Sequence, residues 1–133
     1  MPSEITEGGQ ANLDSMFHPT GDSADSFSPD FVDHDPADGQ PAGGAGLAWY
    51  WERFGESFSE VGRELVDTVA TAEHVVTVMD LSGTHTGEFM GHGPTGRRFT
   101  VRNVQVMRIV DGKRVERWGS TDVLGILQQL GLA

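Results

Sequence analysis

The sequence contains no cysteine among its 133 residues. Disulfide scaffolds, thiolate nucleophiles and zinc sites with cysteine ligands are therefore excluded. Basic residues are also scarce, because 9 Lys and Arg stand against 20 Asp and Glu, a formal net charge of -11. Binding to phosphate backbones and to anionic membrane surfaces depends on Lys and Arg, so this balance argues against nucleic-acid and membrane partners.

Long apolar runs are absent as well. No stretch approaches the roughly 20 residues that a membrane-spanning helix needs. The first ten residues lack the basic region and apolar stretch of a secretory signal, so we expect a cytoplasmic protein. The length suits one domain with a core and is too short for two. The polar residues 1–19 predict a poorly structured or short helical segment, and residues 20–133 predict a single domain.

One strong helix is predicted over residues 45–59, because apolar residues recur there at spacings of three and four. The members of this stripe are Leu47, Tyr50, Trp51, Phe54 and Phe58. An aromatic stripe of this kind is typical of a core, and the same residues could also line a pocket for a flat ligand.

The rest of the chain alternates with a period of two, which predicts strands. A short strand over 31–35 ends at Pro36, and longer strands are expected near 65–69, over 74–86 and over 98–110. The Asp-Gly pair at 111–112 predicts a tight turn into a strand over 114–118, and Asp122 could cap a short final helix.

This order predicts an α+β domain with a curved antiparallel sheet packed on helices around an apolar cavity. Strands 75–82 and 101–110 carry apolar residues on both faces. One face packs on the helices, and the other needs cover too, which suggests a homodimer formed through the sheet.

The densest polar group in an apolar context is Asp33-His34-Asp35. On a strand the two carboxylates point the same way and His34 the opposite way. Two carboxylates facing an apolar chamber would make a general base, so these three residues are the candidate catalytic group. The alternative is a solvated strand end, with Asp35 bonding the loop backbone.

Other side chains are candidates for contact with a small apolar ligand. Met is an adaptable filler of cores and binding walls alike, and buried amides need hydrogen-bond partners that a ligand could supply. The candidates beyond the aromatic stripe are Met79, His85, Phe89, Met90, Asn103, Gln105, Met107 and Arg117. The spacing of His85, Glu88 and His92 matches no standard metal site, so no metal is predicted.

Several stretches taken together resemble the SnoaL-like polyketide cyclases of the nuclear transport factor 2-like superfamily. They are residues 28–36 (SPDFVDHDP), 81–89 (LSGTHTGEF), 94–97 (PTGR), 111–119 (DGKRVERWG) and 124–130 (LGILQQL). The resemblance implies a cone-shaped fold, in which a strongly bent sheet wraps around helices and encloses an apolar cavity. It also implies dimerisation through the sheet and an activity without cofactors. Relatives begin with longer helices, so the cavity here is either more open or covered by a partner.

The resemblance implies a cyclase or isomerase acting on an apolar natural-product intermediate such as a polyketide. In the aldol cyclases a carboxylate follows the Trp of the last strand, and a His lies on the neighbouring strand; here Gly119 and Gln105 stand at those positions. The Asp35-Pro36 pair is similar to the general base of ketosteroid-isomerase-like relatives. A non-catalytic ligand-binding or accessory protein and an epoxide-opening enzyme are the alternatives.

Overall fold

The computed structural model describes residues 4–5, 8–16 and 26–133. Three helices and six strands are present in these ranges. In chain order they are β1 (Glu4–Ile5), α1 (Gly9–Met16), β2 (Phe27–Asp33), α2 (Ala45–Ser57), β3 (Phe58–Ala70), β4 (His74–His85), β5 (Arg98–Val110), β6 (Lys113–Thr121) and α3 (Val123–Gln129). The predicted α+β class is confirmed.

The strands form one sheet in the order β1-β3-β4-β5-β6-β2. Strands β3 to β6 are antiparallel neighbours, whereas β2 pairs in parallel with β6. The parallel pairing sets Asp33 opposite Arg117, although 84 residues separate them in sequence. It therefore brings the Asp33–Asp35 segment beside the last strand.

The turn between β5 and β6 follows from its sequence. Asp111 and Gly112 both have positive φ, 50° and 75°, as the predicted Asp-Gly hairpin requires. At the other end of β6, the Asp122 side chain accepts a hydrogen bond from the Gly125 N–H and caps α3, as predicted.

The prediction that Phe58 belongs to the aromatic helix is wrong. Helix α2 ends at Ser57, and Phe58 begins β3 in an extended conformation, paired with His85 of β4. Its ring still packs on Phe54 and Phe99, so the residue joins the same core from a strand. Strand pairing and tertiary packing override the helical spacing at this position. Strand β3 is consequently longer than the predicted 65–69.

The core consists of two clusters of buried side chains between the inner face of the sheet and the helices. One contains Phe27, Phe31, Leu47, Ala70, Val75, Met107 and Ile109. The other contains Phe54, Phe58, Leu81, Phe99, Val101, Ile126 and Leu130. The predicted alternation of β4 is confirmed, since every second residue from Val75 to His85 is buried apart from the half-buried Met79.

Residues 1–19, which the sequence predicts to be poorly structured or short helical, contain the helix α1. Residues 1–3, 6–7 and 17–19 of this segment lie outside the described residues. In the described part of the chain no helix is long and apolar enough to cross a membrane.

Candidate functional site

Two adjoining cavities open between α2, the loop after β2 and the end of β6. The larger has a volume of about 490 Å³ and the smaller about 170 Å³. Both are lined by Ala37, Tyr50, Thr121 and Val123, so these residues form the boundary at which the two spaces meet. We call the larger space the apolar cavity and the smaller one the polar cleft.

The apolar cavity is lined mainly by side chains of α2. The other walls come from the loops after β2 and β4, from the end of β6 and from α3. Its lining residues are Ala37, Asp38, Trp49, Tyr50, Arg53, Phe54, Ser57, Phe89, Met90, Thr121, Val123 and Ile126. A space of this size and composition suits a mostly apolar organic molecule.

The loop after β4 is fixed against the C-terminal end of α2. The N–H groups of Thr86 and Gly87 donate to the Ser57 carbonyl, and the Ser57 hydroxyl donates to the Glu88 carbonyl at 2.6 Å. A Cβ at Gly87 would collide with the Glu56 carbonyl oxygen, so glycine is required for this approach. The loop thereby holds Met90, which is 64% exposed, at the mouth of the cavity.

A buried ion pair stands behind the polar cleft. Arg117 Nη1 donates to both oxygens of Asp33, at 3.0 and 3.2 Å, and its Nε donates to Gln105 Oε1 at 2.7 Å. Gln40 Nε2 donates to Asp33 Oδ2 at 3.0 Å. The two charged side chains are only 11% and 5% exposed. Because its oxygens are held by these donors, Asp33 is placed to orient Arg117 rather than to accept a substrate proton.

Asp35 lies at the edge of the same cleft and is exposed. Its Oδ2 accepts a hydrogen bond of 2.9 Å from the Gly119 N–H, and its own N–H donates to Asp33 Oδ1 at 3.0 Å. The carboxylate is thus held on the backbone of β6 while it remains accessible from the cleft.

Tyr50 stands between the two cavities. Its side chain is hydrogen-bonded to that of Thr121, whose hydroxyl also accepts from Asn103 Nδ2 at 2.7 Å. Burial raises the pKa of the Tyr50 phenol above that of an ordinary tyrosine, against smaller lowering effects of Thr121 and of the nearby Arg117 charge. Tyr50 is therefore a neutral hydrogen-bond donor at physiological pH.

His34 occupies the opposite face of the sheet. Its ring stacks on Trp118 with a centroid distance of 4.8 Å, and its Nε2 lies 2.8 Å from Glu116. The predicted strand over 31–35 is wrong in its bounds, because β2 ends at Asp33 and residues 34–35 form a bend, but Asp33 and His34 do point to opposite sides. The structure accordingly brings Asp35 to the cleft and leaves His34 on the other side of the strand.

The other predicted ligand contacts fall into two groups. Tyr50, Phe54, Phe89 and Met90 line the apolar cavity, and Arg117 lines the polar cleft. The remaining candidates lie outside these two linings: Trp51, Phe58, Met79, His85, Asn103, Gln105 and Met107. Two of them contact the lining residues instead. Gln105 accepts a hydrogen bond from Arg117, and Asn103 donates one to Thr121.

His85 is fully buried. Its Nδ1 accepts a hydrogen bond from the Thr95 N–H at 3.1 Å and lies 3.0 Å from the Thr95 hydroxyl, while Nε2 has no hydrogen-bond partner in the described part of the chain. The ring packs against Phe58 and Phe89. It therefore stabilises the loop at 94–97 and the wall behind the cavity.

The sequence analysis did not predict several residues that line the two cavities or bond their walls. Gln40 and Thr121 lie in a loop and at a strand end, where alternation gives no signal. Trp49 and Arg53 flank the aromatic stripe of α2 and line the cavity from the helix edge. No group of three His, Asp or Glu residues within the described ranges is arranged to hold a metal ion.

Comparison with known proteins identifies the family. The SnoaL-like polyketide cyclase family matches residues 19–130. The chain is 32% identical over 131 residues to nogalonic acid methyl ester cyclase of Streptomyces nogalater, covering 98% of this chain and 92% of that protein. It is also 32% identical over 106 residues to aklanonic acid methyl ester cyclase DnrD of Streptomyces peucetius, covering 79% and 71%.

Among solved structures, AclR of Streptomyces galilaeus, a proposed hydroxylase, has a TM-score of 0.75 at 28% identity, covering 98% of this chain and 99% of that one. The chain belongs to the SnoaL-like polyketide cyclase family. Its fold is the nuclear transport factor 2-like cone that the resemblance implied. The two relatives are cyclases that act on polyketide esters, and the expectation of a small-molecule tailoring enzyme is confirmed by this membership.

The two positions at which the aldol cyclases carry a His and a carboxylate are direct neighbours here. Gln105 of β5 is paired with Gly119 of β6. A Cβ at Gly119 would lie 2.7 Å from Arg117 Cζ, so the guanidinium occupies the space that a side chain on residue 119 would need. Gln105 and Gly119 therefore stand where the resemblance implied a His and a carboxylate, and the guanidinium of Arg117 fills the space beside Gly119.

Proposed function

We propose that this protein cyclises an aromatic polyketide ester by acid–base chemistry, with Asp35 as the base. The substrate class is taken from the two methyl ester cyclases to which the chain is similar. The observation that carries the proposal is the meeting of Asp35, Tyr50 and Arg117 in one cleft that adjoins an apolar cavity.

The reaction is an intramolecular addition. Asp35 removes a proton from the carbon next to a carbonyl group, and the resulting carbanion attacks a ketone of the same molecule. A C–H bond breaks, a C–C bond forms, and the proton returns from Asp35 to the new alkoxide oxygen. The neutral Tyr50 donates a hydrogen bond to the ketone oxygen while that oxygen gains charge.

The rigid rings of such a substrate would lie in the apolar cavity, against Phe54, Phe89 and Met90. Burial of the rings would position the reacting carbons at the boundary near Tyr50, where the cleft begins. Holding the two reacting carbons in contact converts a flexible chain into a near-attack geometry.

The test is incubation of the purified protein with the methyl esters of nogalonic and aklanonic acid, with analysis by mass spectrometry and NMR. Cyclisation yields a product of unchanged mass in which a ketone carbon has become a tertiary alcohol. If both esters are recovered unchanged under conditions in which a relative converts them, cyclisation of these esters is rejected.

Hydroxylation is a second candidate, favoured by the similarity to AclR over nearly the full length of both chains. The same assay separates the two, because hydroxylation adds the mass of one oxygen atom and cyclisation adds none.

We also propose that two copies pair through the outer face of the sheet. Val104 and Trp118 are more than one-third exposed on this face, and Val106 stands directly opposite Trp118 across β5 and β6. Analytical ultracentrifugation should give a dimer for the native protein and a monomer for Val104→Lys/Trp118→Lys; a monomeric native protein contradicts the proposal.

The predicted cytoplasmic location stays a prediction.

A further inference from the structure

We propose that Arg117 binds the enolate oxygen of the substrate, and that Gly119 is required because the guanidinium lies over it. This inference rests on the proposed function, since it concerns the same cleft. It assigns to Arg117 the oxygen that gains negative charge when Asp35 removes the proton from the neighbouring carbon.

The first observation is the division of donors on the guanidinium. Arginine presents five N–H donors in a rigid fork. Nε donates to Gln105 and Nη1 to Asp33, so both bonds hold the group from its inner side. Nη2 lies against Gly119, at the surface that lines the polar cleft. The guanidinium is therefore fixed by two partners through Nε and Nη1, neither of these bonds uses Nη2, and Arg117 lines the polar cleft that a ligand would fill.

The second observation is the position of Asp35 on the same residue. The Gly119 N–H donates to Asp35 Oδ2, while Arg117 Nη2 lies over the Gly119 Cα. A base and a cation thus flank one backbone position. A substrate that fills the cleft can present a C–H bond to the carboxylate and the adjoining carbonyl oxygen to the guanidinium.

The third observation is the balance of charge. When Asp35 takes the proton, it becomes neutral and the substrate oxygen becomes negative, so the net charge of the cleft does not change. The negative charge moves closer to Arg117, which donors fixed in advance stabilise without reorganisation. Asp33 keeps the guanidinium oriented, and its own oxygens remain bonded to Gln40 and Arg117. Arg117 would touch the reacting oxygen, whereas Asp33 would be a positioning residue.

The need for glycine at position 119 follows from the position of the guanidinium. Any Cβ at this position would come within 2.7 Å of Arg117 Cζ and would displace the guanidinium from the cleft. Glycine is thus part of the oxygen-binding site through the space it leaves free. Gln105, opposite Gly119 on β5, supplies the acceptor that fixes the guanidinium from behind.

The experiment uses naphthol as a probe, because its ionised form carries a negative oxygen on an aromatic carbon and resembles an enolate. The native protein and its variants are mixed with naphthol at a pH about one unit below the pKa of the free probe, and the absorbance of the naphtholate is recorded. We expect the native protein to bind naphtholate in preference to neutral naphthol. Arg117→Gln should weaken naphtholate binding by about 10-fold or more and leave neutral naphthol bound.

Two further variants keep the test decisive if Arg117→Gln alone does not fold. Asp33→Asn/Arg117→Gln removes both charges of the buried pair, and Gly119→Ala retains both charges while displacing the guanidinium. Both should lose the naphtholate signal, whereas Arg98→Gln, which changes an exposed arginine on β5, should keep it. Ionisation of bound naphthol that is equal in the native protein and the double variant overturns the proposal, and so does a native protein that never ionises the probe.

The naphthol experiment and the turnover assay can fail independently of each other. An ionised probe that depends on Arg117, without turnover of either ester, supports the oxygen-binding site and rejects cyclisation of those esters. Turnover that requires Asp35, with probe ionisation independent of Arg117, supports cyclisation and rejects the role of Arg117.

Discussion

The Arg117 guanidinium lies over Gly119, in the space that a side chain on residue 119 would occupy. Gly119→Ala is therefore expected to destabilise the fold, because the added methyl group displaces a buried guanidinium that bonds both Asp33 and Gln105. The expected loss is about 1–3 kcal/mol in the free energy of unfolding, measured with urea.

Gly55 provides the control. It lies on the exposed side of α2, and a Cβ there would meet nothing within 4 Å. Gly55→Ala should stabilise the protein by about 0.5–1 kcal/mol, since alanine favours the helix. Equal effects of the two substitutions would show that Arg117 moves aside freely and that residue 119 imposes no constraint.

The buried Asp33–Arg117 pair leads to a double-mutant cycle. Asp33→Asn and Arg117→Gln should each destabilise the fold by about 3–5 kcal/mol, because each leaves the other charge buried without its partner. The double variant should lose clearly less than the sum of the two, since neither charge remains. Additive losses in urea unfolding would indicate that the two side chains do not interact in solution.

Tyr50 is the only tyrosine in the chain, so its ionisation can be followed directly by the ultraviolet absorbance of tyrosinate. Because burial raises its pKa in the folded protein, the absorbance should rise at a higher pH than in the urea-denatured protein, where the value is about 10. Circular dichroism recorded on the same samples shows whether the fold is intact at each pH.

The raised pKa of Tyr50 also sets the sign of the effect on stability. The unfolded chain releases the phenol proton first, so the folded state holds more protons between the two pKa values. The contribution of Tyr50 is therefore fully present below the unfolded value and is lost as the pH rises through the folded one. Tyr50→Phe should remove this part of the alkaline loss. Identical titration in folded and denatured protein would contradict a buried phenol.

The apolar cavity predicts a contrast between two lining residues. Phe54 is 6% exposed and belongs to the core, so Phe54→Ala should cost about 3–5 kcal/mol of stability. Met90, at the cavity mouth, should lose little stability as Met90→Ala and should raise KM instead. A large loss of stability in Met90→Ala, with KM unchanged, would contradict its role as a wall of the cavity.

The sequence was most informative where a local pattern decides the structure. The Asp-Gly turn at 111–112, the alternation of β4 and the cap at Asp122 all appear as predicted. Phe58 could not be placed, because its spacing fits the helix while its partner His85 lies in a distant strand. Helical periodicity carries no information about a strand that pairs across the chain.

The candidate site shows the same division. The resemblance located Gln105 and Gly119, and alternation predicted that Asp33 and Asp35 share a face. No pattern in the sequence predicted that Arg117 would fill the space over Gly119, because that contact depends on the direction of one side chain within the folded sheet. The parallel pairing of β2 with β6, which joins Asp33 to Arg117, is likewise a long-range contact.

If Asp35 is the base of a cyclisation, Asp35→Asn must slow the chemical step, which steady-state kinetics measure. Asn keeps the size of the side chain and an oxygen for the Gly119 N–H but cannot take a proton. We predict a fall in kcat of about 10²- to 10⁴-fold with KM nearly unchanged. Asp30→Asn, a change on the exposed part of β2, should retain native kinetics. If kcat of Asp35→Asn equals that of the native protein, Asp35 is not the base.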